Sequence, residues 1–192
     1  MRTKDFNETD ILRKAIALFW QKGYHATSLH DLIDGLEIGR SSIYHAFGDK
    51  HNLFLQALEL YQQEATAKIQ ALLNDAFSVK EAVTHLLQQV VNDVFTDACP
   101  KGCFKINSEV EMAASDEVIK KLVAEDDLII EKALYNAIKK GQADGEISIS
   151  KNPKALARFI CNAIAGMRVY GKFRNDRQFF DDIVKTTLSV LD

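Results

Sequence analysis

The chain has 192 residues, 47% of them hydrophobic and 27% charged, with a formal net charge of -3; these values are ordinary for a folded globular protein and show no bulk attraction to nucleic acid. No apolar run approaches the ~18 residues of a membrane-spanning helix, so we expect no membrane partner. The polar N-terminus resembles no signal peptide and the 3 cysteines form no dense framework, so we expect a cytoplasmic protein.

The charge is divided unevenly along the chain. Residues 1–55 carry 7 Lys or Arg and 7 Asp or Glu, whereas residues 56–192 carry 17 and 20. The N-terminal part is therefore less acidic than the rest without being basic. If it binds DNA, it must depend on individually placed contacts more than on a general positive field.

Short helices are predicted near the N-terminus. Apolar residues at helical spacing predict a first helix over 9–22, which Gly23 is placed to end. Ser28 and Asp31 have the spacing of a capping box and open a second helix. A tight turn then leads into a third helix over 40–47. Two short helices joined in this way, the second with polar residues on one side, suit the major groove of DNA.

The rest of the chain also follows helical periodicity. A fourth helix over 50–74 would be about 37 Å long at roughly 1.5 Å per residue. Further helices are predicted over 79–96, 103–114, 115–141, 153–172 and 176–191. We therefore predict an all-α fold of about nine helices, in which a three-helix helix-turn-helix bundle is joined by a long helix to a C-terminal helical domain. The predicted domains are 5–65, with the helix-turn-helix at 28–47, and 66–192.

The helix over 153–172 is apolar around most of its circumference, and such a helix needs cover on nearly all sides. We expect a second copy of the chain to supply part of that cover, together with the last helix. The predicted homodimer interface consists of Ile160, Ile164, Met167, Phe180, Ile183 and Leu188.

A family resemblance rests on spaced residues over about 9–60. The pattern consists of Phe19, Gly23, Tyr24 and Thr27, followed by Ile43, Tyr44, His45, Phe47, Asp49, Lys50 and Leu53. It resembles the TetR family of bacterial transcriptional regulators. The resemblance implies an all-helical dimer, operator DNA as partner and a ligand-binding core in which a small-molecule effector releases the DNA.

The resemblance also implies which residues contact DNA. Thr27, Tyr44 and Lys50 are expected at phosphates, and Arg40, Ser41, Ser42 and His45 at or near base edges, where an arginine can bind guanine in a bidentate way. The full set assigned to DNA binding is Thr27, Ser28, Arg40, Ser41, Ser42, Tyr44, His45 and Lys50.

Three positions depart from the family pattern. Glu37 occupies a turn position where glycine is common, so we expect a non-glycine residue in a strained conformation. Gly39 replaces the usual serine cap of the third helix and is a slightly weaker cap. Ala46 replaces an aromatic residue. These departures leave the fold intact.

The segment from Gly102 to Glu111 resembles a short motif in a branch of the family that includes sensors of electrophiles and oxidants. Cys99 and Cys103 are the candidate redox residues, either as a disulfide or through a reactive thiol. Cys103 would lie at a helix N-terminus near Lys101 and Lys105, which favours a thiolate. The alternative for Cys103 is a small buried residue. Cys161 is interpreted as packing. We predict no metal site at Cys99 and Cys103, because zinc needs about four ligands and no histidine or further cysteine lies nearby in sequence.

A hydrophobic effector pocket is predicted in the C-terminal part. Asn107 and Asn162 lie on otherwise apolar faces and can be either ligand contacts or hydrogen-bonded core amides. The predicted pocket residues are Tyr61, Leu87, Val91, Phe104, Asn107, Val110, Glu111, Leu134, Phe159, Asn162 and Tyr170.

Two other classes of function fit less well. No phosphate-binding glycine loop, metalloprotease motif or nucleophile elbow is visible, so we predict no enzyme activity and no cofactor. A helical scaffold without DNA binding leaves the polar side of the third helix unexplained. The sequence therefore favours a dimeric DNA-binding repressor released by a small hydrophobic effector, or alternatively by oxidation or alkylation of Cys103.

Overall fold

The computed structural model describes residues 6–96 and 102–192. Nine helices and no strand lie within these ranges: Glu8–Lys22 (α1), Leu29–Leu36 (α2), Arg40–Phe47 (α3), Lys50–Asp75 (α4), Val79–Phe95 (α5), Phe104–Met112 (α6), Glu117–Ala143 (α7), Pro153–Tyr170 (α8) and Arg177–Ser189 (α9). The predicted all-α fold of about nine helices is confirmed. None of these helices combines the length and apolarity that crossing a membrane would require.

The predicted helix starts are made by side-chain caps. The Ser28 hydroxyl accepts the N–H of Asp31 at 3.1 Å, and the Asp31 carboxylate accepts the N–H of Ser28 at 2.8 Å, which completes a capping box at α2. The Asn152 side chain accepts the N–H groups of Lys154 and Ala155 at 2.9 and 3.1 Å at the start of α8. Local sequence therefore decides where these helices begin.

The turns around α2 and α3 have the expected backbone conformations. Gly23 ends α1 at a φ of 84°. Glu37 has a φ of 58° and is the one non-glycine residue with positive φ in the described part of the chain, as its place in the turn predicts. An ion pair with Lys14 holds its side chain. Gly39 is the N-cap residue of α3 and, having no side chain, offers no side-chain hydrogen bond there.

The described residues form two compact units, each with its own core. Residues 6–64 and 103–123 make the first unit, and its core includes Phe19, Leu32, Leu36, Ile43, Phe47, Phe54, Leu58, Phe104, Ile119 and Val123. Residues 65–96, 102 and 124–192 make the second, and its core includes Val83, Leu87, Leu134, Ile138, Ile160, Met167 and Phe180. The predicted domain division places all of 66–192 together, whereas α6 and the start of α7 pack with the N-terminal helices.

The buried face of the helix after Gly102 is not the one that apolar periodicity indicates. Phe104, Ser108 and Met112 form the buried face of α6, whereas Val110 is 76% exposed. The helical periodicity of the sequence groups a different set on one face of this helix, namely Cys103, Ile106, Asn107, Val110 and Ala114. The bulky Phe104 ring, packed against Phe54 and Tyr61, sets the rotation of this short helix instead.

Three predicted interface residues are core residues. Ile160, Met167 and Phe180 have no exposed surface within one protomer, because the core of the second unit covers them. They cannot contact a second copy, and this part of the prediction is wrong. Exposed apolar residues of α8 lie one position from Ile160, at Phe159, and two positions from Met167, at Val169. Since each residue turns a helix by about 100° at 3.6 residues per turn, a shift of one position changes the face.

Candidate nucleic-acid interface

The helix pair α2–α3 is anchored by apolar residues on its inner side. Leu32 and Leu36 of α2 and Ile43 and Phe47 of α3 are all buried in the core of the first unit. A spacing of four residues on each helix places each pair on one face. The opposite side of α3 is thereby presented outward.

Four predicted DNA-binding residues share that outward side. Arg40, Ser41, Tyr44 and His45 are exposed, and Ser42 is half-buried. The Arg40 guanidinium lies 5.5 Å from the centre of the Tyr44 ring. A cation, hydroxyl groups and an imidazole are therefore displayed together on a helix of eight residues, which is about 12 Å long at 1.5 Å per residue.

Lys50 lies at the start of α4, beside this surface. Its ammonium is 4.4 Å from the centre of the Tyr24 ring, in a cation–π contact. Burial lowers the pKa of Lys50, although the carboxylates of Glu111 and Asp31 act in the opposite direction. The cation is thus held in one place, close to the helix N-terminus, where an anion is favoured.

Two residues assigned to DNA binding, Thr27 and Ser28, have other roles in the structure. Thr27 is fully buried, and its hydroxyl donates to the carbonyl oxygen of Gly23 at 2.6 Å. In this DNA-free structure Thr27 has no exposed surface that could contact a phosphate, so its assignment as a phosphate contact is wrong. Ser28 is exposed, but its hydroxyl is engaged in the α2 cap. Both residues shape the turn that precedes α2.

Two acidic groups of the helix-turn-helix, Asp31 and Glu37, are paired with lysines of α1. Lys22 bonds to Asp31, and this contact, followed by the Ser28 N–H and hydroxyl, holds the pKa of Asp31 well below its usual range. Lys14 lowers the pKa of Glu37 in the same way. The pairing offsets negative charge that would otherwise oppose DNA.

The predicted effector residues are divided between the two units and differ in burial. Glu111 is engaged, because its carboxylate accepts the backbone N–H groups of Tyr24 and His25. Leu87 and Leu134 are core residues of the second unit, together with Val91. The remaining members range from buried Phe104 and half-buried Tyr61 and Asn107 to exposed Val110, Phe159, Asn162 and Tyr170. Apolar periodicity alone did not distinguish core residues from residues with exposed surface.

Two buried polar side chains were missed by sequence reasoning. Gln62 on α4 is 4% exposed, and neither its amide oxygen nor its amide nitrogen has a hydrogen-bond partner among the described residues. The indole nitrogen of Trp20 on α1 is also buried without one, and its ring lies 5.5 Å from that of Tyr61. The sequence did contain evidence that Gln62 is buried, because a spacing of four residues places it on the same side of α4 as the apolar Leu58.

Cys103 is the N-cap residue of α6 and is half-buried. Its sulfur lies 3.5 Å from the Tyr61 hydroxyl. Cys99 lies outside the described residues, and Cys161 is half-buried on α8. The thiol of Cys103 is therefore next to a polar group inside the first unit.

A groove of about 470 Å³ runs between the exposed sides of α8 and α9 in the second unit. Phe159, Asn162 and Ala163 line it from α8, and Phe179 and Ile183 from α9, with Asp182, Thr186 and Thr187. Phe159 is 43% exposed. Of the predicted interface, only half-buried Ile164, Ile183 and Leu188 retain accessible surface.

Known proteins resemble this chain over its whole length. Residues 11–57 match the model of bacterial regulatory proteins of the tetR family, and residues 80–187 match the tetracyclin repressor-like C-terminal domain. The uncharacterised HTH-type transcriptional regulator YezE of Bacillus subtilis (strain 168) is 32% identical over 192 residues, which is 100% of this chain and 99% of that protein. The HTH-type transcriptional repressor ComR of Escherichia coli (strain K12) is 30% identical over 188 residues, or 97% and 90% of the two chains.

The same relationship holds for a solved structure. A cysteine mutant of the TetR family regulator CifR, complexed with 26 bp double-strand operator DNA, superposes with a TM-score of 0.89 at 26% identity and covers 100% of both chains. The matching helices include those that present Arg40, Tyr44 and Lys50. The chain therefore belongs to the TetR family of bacterial regulatory proteins and is a DNA-binding transcriptional regulator, not an enzyme.

Proposed function

We propose that the protein is a dimeric repressor that places two copies of α3 in the major groove of its operator and is released by a small hydrophobic effector. The observation that carries this proposal is the outward display of Arg40, Ser41, Tyr44 and His45 on a helix whose other side is anchored by Ile43 and Phe47. In helix-turn-helix dimers, the spacing of the two recognition helices sets the spacing of the half-sites.

Within this proposal, the contacts divide into two groups. Arg40, Ser41 and His45 reach base edges, with Ser42 beside them, while Tyr44 and Lys50 bind phosphates. The arginine is suited to guanine, and such a pair contributes about 1–3 kcal/mol of discrimination.

The test is operator binding by fluorescence anisotropy, using double-stranded DNA from the protein's own promoter region. Lys50→Ala should weaken binding and reduce the salt slope by about 0.9 for the lost phosphate contact. Tyr44→Ala should weaken binding as well. Lys68→Ala, which removes an exposed lysine further along α4, is the matched control and should bind as the parent does. Unchanged affinity in both Lys50→Ala and Tyr44→Ala would sink the assignment of this surface to DNA.

The proposed dimer uses the α8–α9 groove. An exposed apolar phenylalanine and an adjoining groove are suited to an isologous contact, in which the same patch of each copy meets the other. The interface therefore centres on Phe159 and Ile183 instead of the buried Ile160 and Phe180. Half-buried Ile164 and Leu188 flank it.

The proposed effector is apolar with one polar group. Leaving a buried donor or acceptor unpaired costs about 1–3 kcal/mol, so the unpaired amide of Gln62 favours a state in which something bonds to it. An effector with a carboxyl, amide or hydroxyl group can supply that partner. Trp20 offers a second donor.

A second mechanism of release has its own support. Cys103 is half-buried at the start of α6, with its sulfur beside the Tyr61 hydroxyl. Modification by an electrophile or an oxidant would then displace the helix. Cys103→Ser should abolish release by iodoacetamide or hydrogen peroxide while leaving operator affinity intact. A normal response in this variant would assign the thiol to packing.

A further inference from the structure

Glu111 makes an unusual connection between α6 and the turn that precedes α2. One carboxylate oxygen accepts the N–H of Tyr24 at 2.9 Å, and the other accepts the N–H of His25 at 2.8 Å. Both acceptors are charged and both donors are main-chain groups of adjacent residues. Charge-assisted bonds of this kind are roughly twice as strong as neutral ones. The carboxylate therefore holds the backbone of Tyr24 and His25 in place.

The turn is built to admit this carboxylate. Gly23 has a φ of 84°, which disfavours other residues, and it also lies directly against Glu111. A Cβ at this position would be 2.8 Å from the Glu111 Oε2 atom. Glycine at position 23 thus allows both the backbone conformation and the close approach of the carboxylate.

The turn held by Glu111 positions the proposed phosphate contacts. Tyr24 supports the Lys50 ammonium at 4.4 Å from its ring. Thr27 is bonded back to the carbonyl oxygen of Gly23, and the next residue caps α2. The positions of Lys50 and of the α2 N-terminus therefore both depend on residues that Glu111 fixes.

The other end of α6 carries Cys103. Glu111 follows Cys103 by eight positions, which is about 12 Å along a helix at 1.5 Å per residue. Phe104 is buried against Phe54 and Tyr61 at the same end. A short stiff helix thus connects the region of the proposed thiol switch to the turn beside the DNA-binding surface.

We propose that Glu111 is a positioning residue for DNA binding, through which the position of α6 controls the turn at 23–27 and hence operator affinity. The inference rests on the proposed function at this surface and adds the connection that regulates it. Withdrawal of the carboxylate leaves two N–H groups unpaired and releases the turn. The binding-competent conformation is then less populated, and the apparent affinity falls by the same fraction.

The chain contains a matched control. Glu146 in the second unit accepts the N–H groups of Val79 and Lys80 at 2.9 and 2.8 Å. Its carboxylate caps α5 by accepting from the N–H groups of two adjacent residues, which is the arrangement that Glu111 has at the turn. Glu146→Gln therefore removes the same charge and the same kind of bonds without touching the turn at 23–27.

The decisive experiment compares Glu111→Gln, Glu146→Gln and the parent in anisotropy titrations with promoter DNA. A glutamine keeps the size of the side chain but offers one acceptor atom, and its NH₂ opposes the second N–H donor. We expect Glu111→Gln to lose at least about tenfold in affinity, equivalent to about 1.4 kcal/mol. Glu146→Gln should remain close to the parent. Removing a negative charge near DNA would by itself tighten binding. A loss of operator affinity in Glu111→Gln therefore indicates a positioning role, whereas a gain would indicate a purely electrostatic one.

Hydrogen exchange at the amides of residues 24 and 25 gives an independent readout. Exchange there should rise in Glu111→Gln and stay unchanged in Glu146→Gln. Equal or tighter DNA binding by Glu111→Gln, or unchanged exchange at these amides, overturns the proposal. If the parent itself binds no promoter fragment, the proposed repressor function fails, while the exchange data still decide whether Glu111 holds the turn. Glu111→Asp, which keeps the charge but is one methylene shorter, should show an intermediate loss and serves if Glu111→Gln does not fold.

Discussion

Replacing Gln62 by leucine should make the protein more stable and less responsive to its effector. The amide of Gln62 is buried on α4, and neither of its polar atoms has a hydrogen-bond partner within residues 6–96 and 102–192. Leucine has a similar size and no polar atoms to satisfy. The substitution therefore removes a cost of folding without opening a large cavity.

The size of the effect follows from the buried polar atoms. An unsatisfied buried group costs about 1–3 kcal/mol. We expect Gln62→Leu to raise the free energy of unfolding by about 2 kcal/mol, at the middle of that range. In a chain of this length each kcal/mol shifts the melting temperature by about 2–4 °C, which gives a rise of about 4–8 °C.

Urea and thermal unfolding measure the change, with all proteins at one concentration because the stability of a dimer depends on it. Gln63→Leu is the control, since Gln63 is the exposed neighbour on the same helix and should change stability by no more than about 0.5 kcal/mol. A Gln62→Leu protein less stable than the parent would refute the reasoning, because it would mean that the amide is hydrogen-bonded in solution. Effector titrations of operator binding then test whether the more stable variant has lost sensitivity.

Two further predictions concern acid stability and assembly. Asp31 has a lowered pKa in the folded protein, so it stabilises the fold above its ordinary value of 3.8 and this contribution is lost as the pH falls below it. Urea midpoints between pH 3 and 7 should therefore fall less steeply toward acid in Asp31→Asn than in the parent, and equal slopes would contradict the pairing with Lys22. Phe159→Glu should yield monomers in sedimentation, because it places a charge in the α8–α9 groove, whereas Phe77→Glu, at a position 97% exposed, should not. A dimer that survives Phe159→Glu would place the interface elsewhere.

Local sequence predicted much of the fold because helix starts and stops depend on neighbouring residues. The capping box at Ser28 and the cap at Asn152 both formed as their spacing indicates. The positive φ of Glu37 follows from its place in a tight turn. Each of these features needs only groups within a few residues of one another.

Assignments of faces were less successful because they depend on residues distant in sequence. Periodicity showed that α8 and α9 are apolar but not that the core of their own unit takes Ile160 and Phe180. Likewise, Glu111 was assigned to a pocket, although its partners are main-chain groups 87 and 86 residues away. Backbone donors carry no sequence signature.

The sequence by itself determined that the chain is helical, where its helices begin and which short helix presents Arg40 and Tyr44. These properties arise from backbone hydrogen bonds and periodic apolar residues, which act over one or two turns. Only the tertiary structure decided that Thr27 is buried, that Gln62 is unpaired and that the carboxylate of Glu111 holds the turn at 23–27. The reason is that burial and pairing depend on which segments meet, and the short α6 packs among helices more than forty residues earlier in the chain.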